Sequence, residues 1–135
     1  MKEVRKRNLG VGISLLVVLI GLGSAFYAYA NYLRASGDIY VVDGDTFDLK
    51  SGERIRLICV NTPEVDQVGY NEARGFLRGL IVGQNISIER QGLDKYNRTL
   101  AWVYAGGKLV NREIFEKGFG EVFEYDGTNC SLMKG

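Results

Sequence analysis

Two aspartates, Asp43 and Asp45, flank Gly44 at a break between two extended runs of this 135-residue chain. Their carboxylates crowd like charges, which is unfavourable unless a cation or a basic group joins them. This first cluster therefore indicates a site for a hard cation. Standing alone, the same residues would better suit a polar turn, because aspartate is a common turn former.

A second cluster surrounds Arg56, which lies midway along a strongly apolar run. A buried arginine needs an anionic partner, and its guanidinium fits phosphate oxygens better than lysine does. The run then opens into Asn61, Thr62 and Glu64, a set of oxygen donors. The alternatives are that Arg56 forms a structural salt bridge with an aspartate of the first cluster and that Glu64 is a solvated loop carboxylate.

A third cluster, residues 94–98, places Lys95 and Arg98 on either side of Tyr96. Two cations around one aromatic ring suit a phosphate clamp in which a base or a sugar lies on the tyrosine. A polar hairpin turn is the alternative, and it would be preferred if the cluster stood alone.

The composition limits the chemistry that these clusters can perform. The chain has no histidine and two cysteines. His-based catalysis, His-ligated zinc and four-cysteine metal sites are therefore excluded, which favours carboxylate or hard-cation chemistry. Cys59 lies in an apolar run and is predicted to be a small buried hydrophobic residue. A disulfide with Cys130 is permitted in an exported protein, but nothing in the spacing argues for it.

Hydrophobic periodicity and turn signals predict the elements that position the clusters. Strands are predicted at 38–42, 46–49, 54–60, 85–90 and 99–104, helices from Asn71 to Gly83 and over 110–117, and a last extended piece at 121–125. The order is three strands, a helix, two strands and a helix. It predicts a mainly β (β+α) fold, a five-stranded OB-type Greek-key barrel with two helices.

An uncharged and apolar stretch, residues 8–33, follows a basic start. As a helix, residues 9–33 would span roughly 37 Å, enough to cross a bilayer. Residues 1–33 are therefore predicted to be a membrane anchor with its N-terminus in the cytoplasm. A signal peptide cleaved after Ala28-Tyr29-Ala30 is the close alternative. Both place residues 34–135, the predicted OB-fold domain, outside the cytoplasm, either membrane-anchored or secreted.

The predicted domain, residues 34–135, carries 13 basic and 15 acidic side chains, a net charge of −2. A polyanion would therefore find no general positive field on it. Any phosphate binding must come from a few placed cations.

Taken together, the three clusters resemble the staphylococcal nuclease-like (thermonuclease) family in order and spacing. The resemblance covers roughly residues 38–125. Its motifs are 41–46, Arg56-Leu57, Asn61-Thr62-Pro63-Glu64, 69–77, 94–98, Val110-Asn111 and Gly118. It implies an OB barrel with helices that hydrolyses DNA and RNA in a calcium-dependent reaction and leaves 3′-phosphate ends.

The resemblance also implies a role for each matched side chain. Arg56 and Arg98 would hold the phosphate, and Glu64 would orient or deprotonate the attacking water. Calcium would be held by Asp45, Asn61 and the backbone carbonyl of Thr62, and the nucleotide would lie beside Lys95 and Tyr96. No feature of the sequence indicates a protein partner.

Two departures from the family pattern motivate an alternative function. The family usually has aspartate where this chain has Asn61, so calcium should bind more weakly, although Asp43 could compensate as an auxiliary ligand. Residues 126–135 are also too few for the family's further C-terminal helix. The alternative is a catalytically weakened nucleic-acid-binding OB module. A structural membrane protein with an inert barrel is a third hypothesis, but it leaves the three clusters without a purpose.

Overall fold

The computed structural model describes residues 18, 20–26, 39–125 and 127–135. Contacts divide the chain into two units, Met1–Arg34 and Ala35–Gly135. In the first unit, residues 20–26 are helical. No helix among the described residues is long and apolar enough to cross a membrane. Most of the predicted anchor or signal peptide, residues 1–33, lies outside the described residues, so that assignment and the domain boundary stay predictions.

The second unit is built on a mixed sheet. Its strands are β1 Ile39–Val41, β2 Thr46–Leu49, β3 Arg54–Leu57, β4 Val60–Asn61, β5 Ile86–Leu93, β6 Thr99–Ala105, β7 Lys108–Leu109 and β8 Glu121–Val122. The main sheet has the order β1-β2-β3-β6-β5, with β7 paired to β6, and β4 and β8 form a separate pair. β3 runs parallel to β6, and the other pairings are antiparallel.

Two α-helices cover the sheet, α1 Tyr70–Ile81 and α2 Val110–Glu116, and a 3-10 turn follows at Ser131–Met133. The apolar period of α1 buries Ala73, Leu77 and Ile81, while α2 buries Val110 and Ile114. Leu77, Ile81, Val110 and Ile114 join one hydrophobic core with β3 and β6. The predicted mainly β fold with helices, consistent with the OB type, is confirmed, although the main sheet forms a half-barrel whose path ends at β1 and β5.

The predicted strand 54–60 was wrong in one respect that matters for the site. The chain leaves the main sheet after Leu57, turns through Cys59 at φ 64°, and re-enters extended structure as β4, which pairs with β8. Just before the turn, Leu57 N donates to Asp45 O at 2.8 Å and Ile58 N donates to Ala101 O at 3.0 Å, so both neighbours hold the end of β3. The apolar run 54–60 therefore contributes to two sheets, through β3 to the main sheet and through β4 to the β4–β8 pair.

The start of α1 also differs from the prediction. Gly69, at φ 92°, occupies the N-cap position in place of Asn71, and no side chain caps the helix. A left-handed backbone conformation suits glycine, which has no Cβ. The helix ends at Ile81 with Val82 in the C-cap position, one residue before the predicted cap Gly83, which is in the left-handed region at φ 76°.

The buried amide of Asn111 ties α2 to the sheet. Its Oδ1 accepts from Val103 N at 3.0 Å, and its Nδ2 donates to Ile58 O at 2.8 Å and Ala101 O at 3.1 Å. The side chain is fully buried, and these partners satisfy it. It thus anchors the turn that follows β3.

Cys59 is buried, as predicted, but it is not a free small hydrophobe. It forms a disulfide with Cys130, with a Cα–Cα distance of 5.6 Å. The two residues are 71 positions apart in sequence. They meet because the turn after β3 and the segment before the 3-10 turn fold against the same side of the β4–β8 pair, where Phe123 N donates to Cys59 O at 3.1 Å.

Replacing both cysteines, Cys59→Ala with Cys130→Ala, should destabilise the domain. Removing the cross-link enlarges the conformational entropy of the unfolded chain, so the free energy of unfolding should fall by about 2–5 kcal/mol. Urea unfolding followed by circular dichroism measures the change. The reduced wild-type chain is the matched control and should lose a similar amount. An unchanged urea midpoint in both would show that the disulfide contributes nothing to stability.

Candidate active site

A tight turn directs Asp45 into the protein. Val42 N and Asp43 N both approach Thr46 O, at 3.0 and 3.3 Å. The Asp43 carboxylate accepts from Asp45 N at 3.0 Å. Asp43 therefore acts here as the turn former, as the alternative interpretation of the first cluster held, while Asp45 is buried with 3% exposure.

The Asp45 carboxylate joins the first predicted cluster to the second. Its Oδ1 lies 3.1 Å from Arg56 Nε and accepts from Thr46 Oγ1 at 3.0 Å. Its Oδ2 accepts from Thr62 N at 2.8 Å and from Thr62 Oγ1 at 3.0 Å. Residues 17 positions apart thus meet at one carboxylate.

The electrostatics of Asp45 are unusual for an aspartate beside an arginine. Burial raises the pKa of this carboxyl to about 6, although Arg56 opposes the rise; the charge of nearby Asp43 adds to it. The positive charge of Arg56 therefore does not fully compensate the two carboxylates. A further cation close to Asp45 and Arg56 would therefore be attracted by the carboxylates.

The Arg56 guanidinium is enclosed by the turn that follows β3. Its Nη1 donates to Leu57 O and to Val60 O, the latter at 2.7 Å, and its Nη2 donates to Asn61 Oδ1 at 3.2 Å. Three of its five N–H groups thus have hydrogen-bond acceptors among the described residues, and Nε forms the salt bridge with Asp45. One Nη2 N–H has no acceptor among the described residues, and Arg56 as a whole is buried. The salt bridge to Asp45 is the structural alternative predicted for Arg56, and the structure confirms it, while the phosphate role stays a prediction.

The third cluster is organised by its first residue, Asp94, to which the sequence analysis assigned no role. Its Oδ1 accepts from Tyr96 N and Arg98 N, both at 2.9 Å, and its Oδ2 accepts from Arg98 Nε at 2.7 Å. Asn97 adopts φ 61° in the turn. The Tyr96 ring is 66% exposed, with Lys95 Nζ and Arg98 Cζ at 5.0 and 5.3 Å from its centroid. The cations and the ring predicted to lie together do so.

Parallel pairing of β3 and β6 brings the third cluster beside the second. Ile55 is opposite Thr99, so Arg54 and Arg98 immediately precede paired positions. Arg54, Tyr96, Asn97 and Arg98 line an open pocket of about 490 Å³. Arg54 was missed by sequence reasoning; it lies two residues from Arg56, on the same face of β3, and pairs with Asp48 at 2.7 Å.

Glu64 lies on the exposed loop that follows β4. Its backbone N donates to Gln67 Oε1 at 2.7 Å, and its carbonyl accepts from Gln67 N at 3.0 Å. Among the described residues, no hydrogen bond joins its carboxylate to Asp45 or Arg56. Glu64 is connected to them through Thr62, two residues earlier. A pocket of about 300 Å³ opens beside this loop, lined in part by Asn61, Thr62 and Gln67.

The donor set can be tested against a hard divalent cation. The described part of the chain holds no cluster of three or more acidic, cysteine or histidine side chains. It does offer the carboxylates of Asp45 and Glu64, the Asn61 amide oxygen and the Thr62 carbonyl, and oxygen ligands are those that calcium prefers. The chemistry therefore fits calcium, with one charge fewer than an aspartate at position 61 would supply.

The fold and the site define an OB-type domain that carries placed arginines and a buried carboxylate, an arrangement suited to phosphate. Residues 54–133 match the family described as staphylococcal nuclease homologue, and the chain belongs to that family. The resemblance drawn from the sequence is confirmed.

Several relatives are similar along much of the chain. The thermonuclease of Staphylococcus intermedius is 30% identical over 134 residues, covering 82% of this chain and 80% of that protein. Micrococcal nuclease of Shigella flexneri is 30% identical, covering 66% and 58%. Protein ParB of Escherichia coli is 31% identical over 77 residues, covering 55% and 44%. The chain thus spans about half the length of the last two relatives.

Gly44 holds a position in the site that other residues cannot fill. A Cβ there would lie 2.6 Å from Ala73 Cβ and 2.7 Å from Thr62 Oγ1. Gly44→Ala should therefore push Thr62 from the Asp45 carboxylate and lower the free energy of unfolding by about 1–3 kcal/mol.

Gly79→Ala is the matched control, because a Cβ on this residue of α1 meets nothing within 4 Å. It should raise the free energy of unfolding by about 0.5–1 kcal/mol, since alanine favours helix. Urea unfolding of the two variants compares them directly. Equal and small effects of both substitutions would contradict the close approach at Gly44.

Proposed function

We propose that this chain is a calcium-dependent nuclease that hydrolyses phosphodiester bonds of DNA and RNA and leaves 3′-phosphate ends. The observation that carries the proposal is the hydrogen-bonded set of Asp45, Arg56, Asn61 and Thr62 beside the pocket of Arg98 and Tyr96. Relatives named thermonuclease and micrococcal nuclease support the same activity.

The arginines address the main obstacle to the reaction. A phosphodiester is anionic, so an incoming hydroxide is repelled, and negative charge grows on the phosphoryl oxygens in the transition state. The free Nη2 N–H of Arg56 and the guanidinium of Arg98 would bind those oxygens. Because both guanidiniums are already held by fixed acceptors, little reorganisation is needed during the reaction.

Glu64 is the proposed general base. It is exposed beside the pocket that Asn61 and Thr62 line, so a water molecule can reach its carboxylate. A positioned carboxylate that takes the proton from water contributes roughly 10²–10⁴-fold to such a reaction. No histidine is needed for this step.

Tyr96 and Lys95 are the proposed nucleotide contacts. The exposed Tyr96 ring offers a face on which a base or a sugar can lie, and stacking of this kind tolerates any base. Lys95 adds positive charge beside the ring. Neither contact reads a base edge, so the proposal includes both DNA and RNA as substrates.

Asp45, Asn61 and the Thr62 carbonyl are the proposed calcium ligands, with Asp43 auxiliary. Bound calcium would supply electrostatic stabilisation of the phosphoryl oxygens and acidify a water molecule. Asn61 contributes a neutral oxygen that already accepts from Arg56, so it adds no negative charge to the ligand set.

We also propose that the domain acts outside the cytoplasm, secreted or tethered to a membrane through residues 1–33. The Cys59–Cys130 disulfide supports this location, because such bonds persist in oxidising compartments. The apolar composition of residues 8–33 supports a membrane segment or a signal peptide.

Cleavage of a supercoiled plasmid and of a single-stranded RNA tests the activity. Glu64→Gln should lower kcat roughly a hundredfold or more. Glu89→Gln, at an exposed position of β5, is the matched control and should cleave normally. A calcium chelator should abolish cleavage, and the products should accept polymerase extension only after phosphatase treatment. Full activity of Glu64→Gln would remove the proposed base.

Asn61→Asp should tighten calcium binding. One added carboxylate in the ligand set is expected to lower the half-saturating calcium concentration roughly tenfold, equivalent to about 1.4 kcal/mol. Isothermal titration calorimetry and the calcium dependence of cleavage measure it, with exposed Asn85→Asp as the control. If the wild-type chain binds oligonucleotides without cleaving them and Asn61→Asp cleaves, the weakened binding module is the better description.

A further inference from the structure

Residues 57–61, which form the turn after β3, wrap around the Arg56 guanidinium, and we call this segment the hook. Carbonyl oxygens of Leu57 and Val60 accept from Nη1, and the Asn61 side chain accepts from Nη2. Cys59 stands at the apex, fully buried, in the left-handed conformation that a residue with a side chain seldom adopts. The position of the guanidinium therefore depends on the conformation of these few residues.

The two halves of the hook, residues 57–58 and residues 59–61, are held by different parts of the fold. Its first half is fixed by the core, because Ile58 N donates to Ala101 O and Ile58 O accepts from Asn111 Nδ2. Its second half is held by the C-terminal stretch. β4 pairs with β8, Phe123 N donates to Cys59 O, and Cys59 is covalently bonded to Cys130.

Cys130 is itself anchored. It is buried at 4% exposure and begins the 3-10 turn in which Met133 enters the hydrophobic core. The disulfide therefore connects the apex of the hook to a packed segment rather than to a loose tail. The disulfide is the covalent contact of the second half of the hook.

We propose that the Cys59–Cys130 disulfide positions Arg56 for phosphate, so that the nuclease is fully active only when this bond is closed. The inference rests on the proposed function. Opening the bond releases the apex of the hook and lets the Val60 carbonyl and the Asn61 amide shift with it. A displacement of about 1 Å in a positioning group can cost roughly a hundredfold in rate.

Arg98 provides an internal contrast. Its guanidinium is held by Asp94 within its own loop, four residues away. The disulfide does not touch that loop through any contact of the described residues. Opening the disulfide should therefore move Arg56 and leave Arg98 in place.

A dithiol opens the bond by a balanced exchange. One thiolate of dithiothreitol attacks Sγ of one cysteine, forms a mixed disulfide and releases the other cysteine as a thiolate. The second thiolate of the reagent then attacks the reagent's own sulfur in the mixed disulfide and releases the remaining cysteine. The products are the Cys59 and Cys130 thiols and oxidised, cyclic dithiothreitol. No further redox partner is required.

The kinetic test compares kcat and KM before and after reduction in three backgrounds: wild type, Arg56→Lys and Arg98→Lys. Reduction should lower kcat roughly tenfold or more in wild type and in Arg98→Lys, because a positioned donor is lost. In Arg56→Lys, which already lacks the guanidinium fork, it should change kcat by less than about twofold. The double variant Cys59→Ala with Cys130→Ala should have the kcat of the reduced wild type, and the dithiol should not change it.

A second measurement does not depend on activity. In the ¹H–¹⁵N spectrum, the Arg56 Nε–H signal is identified by its absence in Arg56→Lys. Reduction should shift it and speed its exchange with water roughly tenfold or more, while the Arg98 Nε–H signal stays within about twofold. Far-ultraviolet circular dichroism at the assay temperature shows that the reduced chain remains folded.

The outcomes separate the two proposals. An equal loss of kcat in all three backgrounds, or an unmoved Arg56 signal, overturns the positioning role and indicates a general effect on stability. An oxidised wild-type chain that cleaves neither DNA nor RNA overturns the proposed nuclease function, while the Arg56 signal still decides whether the disulfide holds the guanidinium.

Discussion

The ion pair of Asp45 and Arg56 is the interaction on which the rest of this domain depends. Their side chains are 5% and 4% exposed, respectively. A buried charge is tolerated when it is paired and its hydrogen-bonding capacity is satisfied. Asp45 accepts from Thr46 and Thr62 and forms a salt bridge with Arg56, and Arg56 is enclosed by carbonyls of its own turn. Each contact fixes a different segment, so the pair organises the 43–46 turn, β3 and the entry to the Glu64 loop together.

This dual role affects how function can be dissected. Removing one member of a buried pair leaves the other uncompensated, at a cost of about 3–5 kcal/mol. Loss of activity after truncating Arg56 would therefore mix unfolding with lost phosphate binding. Glu64 and Arg98 are better probes, because Glu64 is exposed and Arg98 is supported within one loop.

The sequence predicted the elements with strong local signals. The period of α1 and the apolar run of β6 were sufficient to place them, and the composition of residues 94–98 indicated a loop that the structure confirms. Local signals do not report tertiary pairing. The run 54–60 is apolar throughout, so nothing in it marked the left-handed residue Cys59 or the change of sheet. Likewise, neither the pairing of Cys59 with Cys130 nor the pocket position of Arg54 can be read without the strand register.

The charge balance at Asn61 shows how the same residues can serve substrate and cation. An amide oxygen accepts from Arg56 Nη2 without neutralising its charge. An aspartate at this position would give the guanidinium a second carboxylate beside Asp45. The added carboxylate would hold a cation more firmly. It would also lower the positive potential that Arg56 presents to a phosphate. The domain has a net charge of −2, so it has no general positive field to restore that loss. If the proposed calcium and phosphate bind here, asparagine at position 61 would favour the phosphate over the cation.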